Sequence, residues 1–175
     1  MCIRDRGTAQ TTVDVGGDIE TKWRFGALDD FMASCFGKDW AGNVLTMGDD
    51  RITFSIASYA TDIGVSAIAR GVQVANMNFD FPGDNEVTVT MTMAARSWDD
   101  KGDNTSFIVN AQPEASQRRF SFKDISGLKI NGVQVGEDNA CVDSFNLQFD
   151  NNVQTQRCIG NGNPCLLYTS DAADE

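Results

Sequence analysis

Val72-Gln73-Val74-Ala75-Asn76-Met77-Asn78-Phe79-Asp80-Phe81-Pro82-Gly83-Asp84-Asn85-Glu86-Val87-Thr88-Val89-Thr90-Met91-Thr92-Met93 decides the reading of the fold. Met77, Phe79 and Phe81 alternate with Asn76, Asn78 and Asp80, and Val87, Val89, Met91 and Met93 alternate with Thr88, Thr90 and Thr92. Apolar residues at every second position share one side of an extended chain, so each run predicts an antiparallel strand with one dry and one wet face. Pro82-Gly83-Asp84-Asn85 separates the runs with residues that preset or tolerate turn dihedrals, and the whole predicts a hairpin.

Upstream, Val72 and Val74 are out of phase with Met77, Phe79 and Phe81. One parity change inside a strand predicts a bulge or a sharp bend. Ala140, Val142, Phe145, Leu147 and Phe149 repeat the spacing and change parity at the same place, which suggests two similar bent hairpins, one per half.

Working outward, Ile19, Thr21, Trp23 and Phe25 alternate with polar neighbours, as do Ile52, Phe54 and Ile56. Asn131-Gly132 lies between Leu128-Lys129-Ile130 and Val133-Gln134-Val135, a two-residue hairpin signal that pairs Ile130 with Val133 and Leu128 with Val135. One segment departs from period two. Leu28, Phe31, Met32 and Cys35 fall on one helical stripe, with Asp29 and Asp30 at the positive end and Gly37 at the stop. The predicted fold is therefore all-β and mainly antiparallel, with one short flanking α-helix.

Both ends are read apart from this. Residues 1–6 can be written ATG TGT ATA AGA GAC AGN, and Cys165 to Ser170 as TGT CTC TTA TAC ACA TCT. These strings are reverse complements over most of their length and match a library-preparation transposon end, so residues 1–6 and 165–175 are read as translated sequencing adapter. Met1 is then not a natural start, and residues 7–164 form one β-domain cut at both ends.

That segment is long enough to bury a core without disulfides or metal. Leaving out Arg4, Arg6, Asp5, Asp171, Asp174 and Glu175 takes Lys+Arg from 14 to 12 and Asp+Glu from 25 to 21, a net charge of −9. A surface of that sign repels phosphate, which argues against adhesive nucleic-acid binding but not against a wall that DNA slides past. No apolar run reaches transmembrane length, and no basic stripe suggests an anionic membrane partner. Cys35, Cys141 and Cys158 are widely spaced, which fits neither a disulfide framework nor a zinc pattern.

Chemistry is sparse. The chain has no histidine, which removes Ser-His-Asp and Cys-His catalysis and most transition-metal sites. No P-loop or dinucleotide fingerprint is present. Asp49-Asp50, Asp84 with Glu86, and Asp99-Asp100 with Asp103 sit in turn-like contexts and read as solvated acids. The Asp99 to Asn104 stretch lacks the alternating ligand spacing of a helix-loop-helix calcium site. No catalytic residue, cofactor or metal is expected. Trp23 continues a strand and is assigned to the core, whereas Trp40 and Trp98 lie in Gly/Asp-rich stretches where a large aromatic marks an interface or a cap.

The ordered series of motifs resembles a known family. It runs from Gly17-Asp18-Ile19-Glu20 through the Leu28 to Met32 helix, Gly37-Lys38-Asp39-Trp40, Gly48 to Ile56, Arg70 to Met77 and the Phe79 to Met93 hairpin. It ends in Ser144 to Val153, closed by Ile159-Gly160. This order is similar to that of the tail tube proteins, or major tail proteins, of long-tailed bacteriophages. The resemblance implies a β-sandwich or barrel, homohexameric rings that stack into a tube, and a non-catalytic role in the virion tail after assembly in the host cytoplasm. It also implies tape-measure and tail-terminator proteins as partners, with DNA as a cargo that does not stick. On this reading Asn76, Asn78, Asp80, Thr88, Thr90, Thr92, Asn146, Gln148 and Asp150 face the lumen, and loops around Trp40 and Trp98 join ring to ring. Three alternatives stay open: a β-sandwich carbohydrate- or protein-binding module of a virion or cell surface, an enzyme using carboxylates alone, and a related contractile or secretion tube.

Overall fold

The computed structural model describes residues 14–108, 118–125, 129–130, 133–134, 142–157, 164 and 166–169. In chain order these form β1 (Val15–Lys22), α1 (Asp29–Phe36), β2 (Phe54–Ala60), β3 (Val65–Phe81), β4 (Thr88–Ala95) and β5 (Ser97–Gly102). A 3-10 turn at Phe122–Asp124 follows, then β6 (Lys129–Ile130), β7 (Val133–Gln134), β8 (Phe145–Asp150), β9 (Val153–Gln156) and β10 (Leu166–Thr169). The fold is all-β with one helix, and every described strand pairing is antiparallel.

The spine is β3, 17 residues long. Its first half lies between β2 and β5, and its second half between β4 and β8, with β1 on the far side of β4. The halves meet at a bulge. The β3–β4 register slips between Val74 and Asn76, opposite Met93 and Thr92, so Ala75 is the extra residue where the sequence parity predicts one. Backbone groups around it find partners outside that ladder. Val74 N–H donates to Ser34 Oγ at 3.3 Å, Asn151 N–H donates to the Ala75 carbonyl at 2.8 Å, and Asn151 Nδ2 donates to the Val74 carbonyl at 3.3 Å. A bulge whose polar groups are served this way is a fixed feature rather than a defect.

The core follows the alternation. Val72, Val74, Met77, Phe79 and Phe81 of β3 are buried against Val87, Val89, Met91, Met93 and Ala95, with Leu28 and Cys35 closing from the helix. Each Val, Leu, Met or Phe among them contributes about 1.5–3 kcal/mol by leaving water. Phe31 and Met32 are half-buried against the same cluster, so the predicted stripe of α1 faces the sheet. The helix stops at Gly37, whose φ of 64° favours glycine. The chain returns so closely there that a Cβ on Gly37 would lie 2.6 Å from the Gly48 carbonyl oxygen. Trp23 packs edge-on to Phe79 at 5.2 Å and stacks on Phe120 at 4.5 Å, the core role expected of it.

The predicted Pro82–Asn85 turn joins β3 to β4, and Ile130 pairs with Val133 as the Asn-Gly signal requires. Leu128, Val135, Ala140, Cys141, Cys158 and Ile159-Gly160 lie outside the described residues. One expectation changes. Among the described residues no second bent hairpin forms: β8 lies along β3 itself, with Phe149 opposite Met77, and Val142 to Ser144 form no strand. The period-two pattern marks β8 as a strand but carries no information about its partner. Beyond it, β9 pairs with β10.

Candidate functional site: a polar sheet face between two open edges

The register brings all nine predicted lumen residues together. Thr92, Asn76 and Asp150 form one row across β4, β3 and β8; Thr90, Asn78 and Gln148 form the next; Thr88, Asp80 and Asn146 form the third. Side chains directly opposite in an antiparallel ladder point to the same side. The odd-numbered neighbours Met77, Phe79, Met91 and Val89 are buried on the other side, which leaves these nine on the open face.

A fourth column extends the face, and the sequence reading missed it. Asp18 pairs with Thr92, Glu20 with Thr90 and Lys22 with Thr88, so β1 continues each row. Lys22 Nζ donates to Thr88 Oγ1 at 2.6 Å, within its row. Alternation around Ile19 and Thr21 carried the signal, but only the long-range pairing of β1 with β4 places Asp18 and Glu20 on this face. The completed face holds four carboxylates, Asp18, Glu20, Asp80 and Asp150, against one ammonium, Lys22, which leaves three negative charges per chain.

The two tryptophans lie apart from this face. Trp40 is in the loop after α1, 37% exposed, and its Nε1 donates to the Asp29 carbonyl at 2.9 Å. Trp98 is not in a loop as expected. It is on β5, opposite Ala69, 49% exposed, and its Nε1 donates to Asp100 Oδ1 at 2.7 Å. The Asp-rich composition misled because on an outer strand polar side chains face water while the backbone still completes a ladder.

The acids near Trp98 have local partners. Asp99 pairs with Lys101 and lies 3.9 Å from Arg70, and the Lys101 hydrogen bond, followed by the Lys101 and Arg70 charges, holds its carboxyl below the ordinary range. Elsewhere Glu86 accepts both hydrogen bonds from Arg119 Nη1, and Asp124 pairs with Arg118. No cluster of metal-ligating side chains occurs among the described residues. No helix among them is long and apolar enough to cross a membrane.

These elements define an antiparallel β-protein with one hydrophilic, acidic face and one apolar face under a helix. The chain matches the phage tail tube protein family over residues 4–166 and belongs to that family. Its role is structural, in the tail of the virion, and it is not an enzyme. A comparison with curated proteins gives no match.

Proposed function

We propose that copies of this chain close edge to edge into six-membered rings, that the rings stack into a tube, and that the polar face of β1, β4, β3 and β8 lines a conduit for DNA. The observation that carries this is the face itself: twelve hydrophilic side chains in three rows, acidic on balance, on a sheet whose two outer strands pair on one side only among the described residues. Exposed edges are a liability unless something pairs with them. Because β1, β4, β3 and β8 alternate in direction, β8 runs opposite to β1, and the β8 edge of one copy meets the β1 edge of the next as a further antiparallel strand.

Four strands from each of six copies, about 4.8 Å apart and tilted as barrel strands are, give roughly 45–50 Å between opposite backbones. That bore passes a duplex after side chains are added. With four carboxylates to one ammonium per chain, its wall offers DNA phosphate too little counter-charge to replace the ions it would release, so cargo slides instead of binding. Assembly in the host cytoplasm, with tape-measure and tail-terminator proteins setting length and end, belongs to the same reading. For contact between rings, the β2–β3 hairpin tip is suited, since Tyr59, Ile63 and Val65 are all exposed there.

Labelling tests the arrangement. Gln148→Cys and Thr90→Cys should react with a bulky maleimide in the dispersed chain and be protected in tubes seen by negative-stain electron microscopy. A chain that stays single at high concentration, or cysteines equally reactive in tubes and monomers, would refute it.

A further inference from the structure

We infer that Trp98 of one copy and Trp40 of the next together close an apolar seam between neighbouring subunits within a ring, rather than joining one ring to another. The inference rests on the edge-to-edge reading above and names the side chains that complete that contact.

The apolar face of the β1-β4-β3-β8 sheet is covered in its middle and open at both ends. At the β1 edge a groove of about 160 Å³ is lined by Val15, Ile19, Ile56, Val72, Met93 and Trp98 among others. A second groove, of about 320 Å³, opens beside Leu147 and Phe149 of β8 under Met32, Phe36, Trp40 and Leu45, and reaches inward over Phe79 and Phe81 of β3 to Trp23. Each carries a large aliphatic left in water, Ile19 at 39% exposure and Leu147 at 43%. Both are on the apolar side, since Ile19 pairs with buried Met91 and Leu147 with buried Phe79.

These features select a second copy of the chain as the occupant. The grooves sit on opposite edges of one sheet, and the wall of the first includes the β1 edge strand itself from Val15 to Ile19. A strand added there covers the groove in the act of pairing. Among the described residues, β8 of another copy is an edge strand of the same sheet with opposite direction and matching faces, and its approach brings the Leu147 and Trp40 groove against the Ile19 and Trp98 groove. The two half-grooves then form one dry core continuous across the seam.

Both indoles are prepared for this. Each spends its single donor inside its own chain, on the Asp29 carbonyl or the Asp100 carboxylate, so the exposed remainder of the ring is apolar and held in place. A fixed aromatic loses little freedom when a neighbour covers it, which is why tryptophan dominates contact energies.

The test uses the full chain and the variants Trp40→Ala and Trp98→Ala. Each should raise the concentration at which rings first appear by about tenfold or more, with no accumulation of single rings. Single rings at the wild-type concentration that fail to stack would overturn the inference in favour of a ring-to-ring contact. Unchanged tube formation by both variants would overturn it outright. Trp40→Phe and Trp98→Phe guard against loss of folding: each should remove part of the blue shift in tryptophan emission that accompanies ring formation. A shift unchanged in both would show that a different surface, or another segment of the chain, occupies the grooves. If the wild-type chain forms no rings at all, the conduit reading itself fails, and that result is distinct from rings that form without either tryptophan.

Discussion

Replacing Ser34 with alanine removes one oxygen atom that ties α1 to two other parts of the molecule. Ser34 Oγ donates to the Ile52 carbonyl at 2.9 Å and accepts from Val74 N–H at 3.3 Å. Val74 is fully buried beside the bulge, so in Ser34→Ala its amide loses its partner in a place water does not reach. An orphaned buried donor costs about 1–3 kcal/mol. The Ile52 carbonyl is only half-buried and recovers part of its loss from solvent. The total is about 2 kcal/mol, with little packing change, because alanine keeps the Cβ and leaves only an oxygen-sized gap. In urea, at concentrations where the chain is dispersed, this should lower the unfolding midpoint by about 1 M with an unchanged slope. A loss under about 0.5 kcal/mol would mean that the hydroxyl does not hold the bulge, and that the parity change at Ala75 is stabilised by strand pairing alone.

Three further outcomes are expected. Glu20→Lys with Asp80→Lys turns the polar face from three negative charges to one positive per chain; tubes of this variant should bind short duplex DNA, and each lysine that reaches a phosphate should steepen the salt dependence by about 0.9 in log–log slope. Wild-type tubes that bind DNA equally well in a filter assay would contradict the non-adhesive wall. The Cys35 thiol is pushed from 9.0 up to about 11 by burial first and the Asp150 charge second, so the folded chain holds its proton more tightly than the unfolded one. Its contribution to stability is full below pH 9 and is lost as pH rises towards 11, which Cys35→Ala should abolish in a pH series of unfolding midpoints. Gly37→Ala should destabilise by about 1–2 kcal/mol for the left-handed backbone, with more from the contact at Gly48, read as a fall in melting temperature.

Period two along Met77 to Phe81 and Val87 to Met93, the turn at Pro82 to Asn85, the stripe of α1 and the parity change at Ala75 were all legible in the sequence. Each is a local matter: which side of an extended or helical backbone a side chain points to depends on neighbours a few residues away. The nine polar residues of β3, β4 and β8 were legible for the same reason, as the complement of the apolar set. What the tertiary structure alone decided is which strands lie side by side. It placed β8 against β3 in place of a second hairpin, added Asp18, Glu20 and Lys22 to the face by pairing β1 with β4, and moved Trp98 from a loop to a strand. Partner choice is set by packing between segments tens of residues apart, where alternation fixes the face of a strand but leaves its neighbour undetermined.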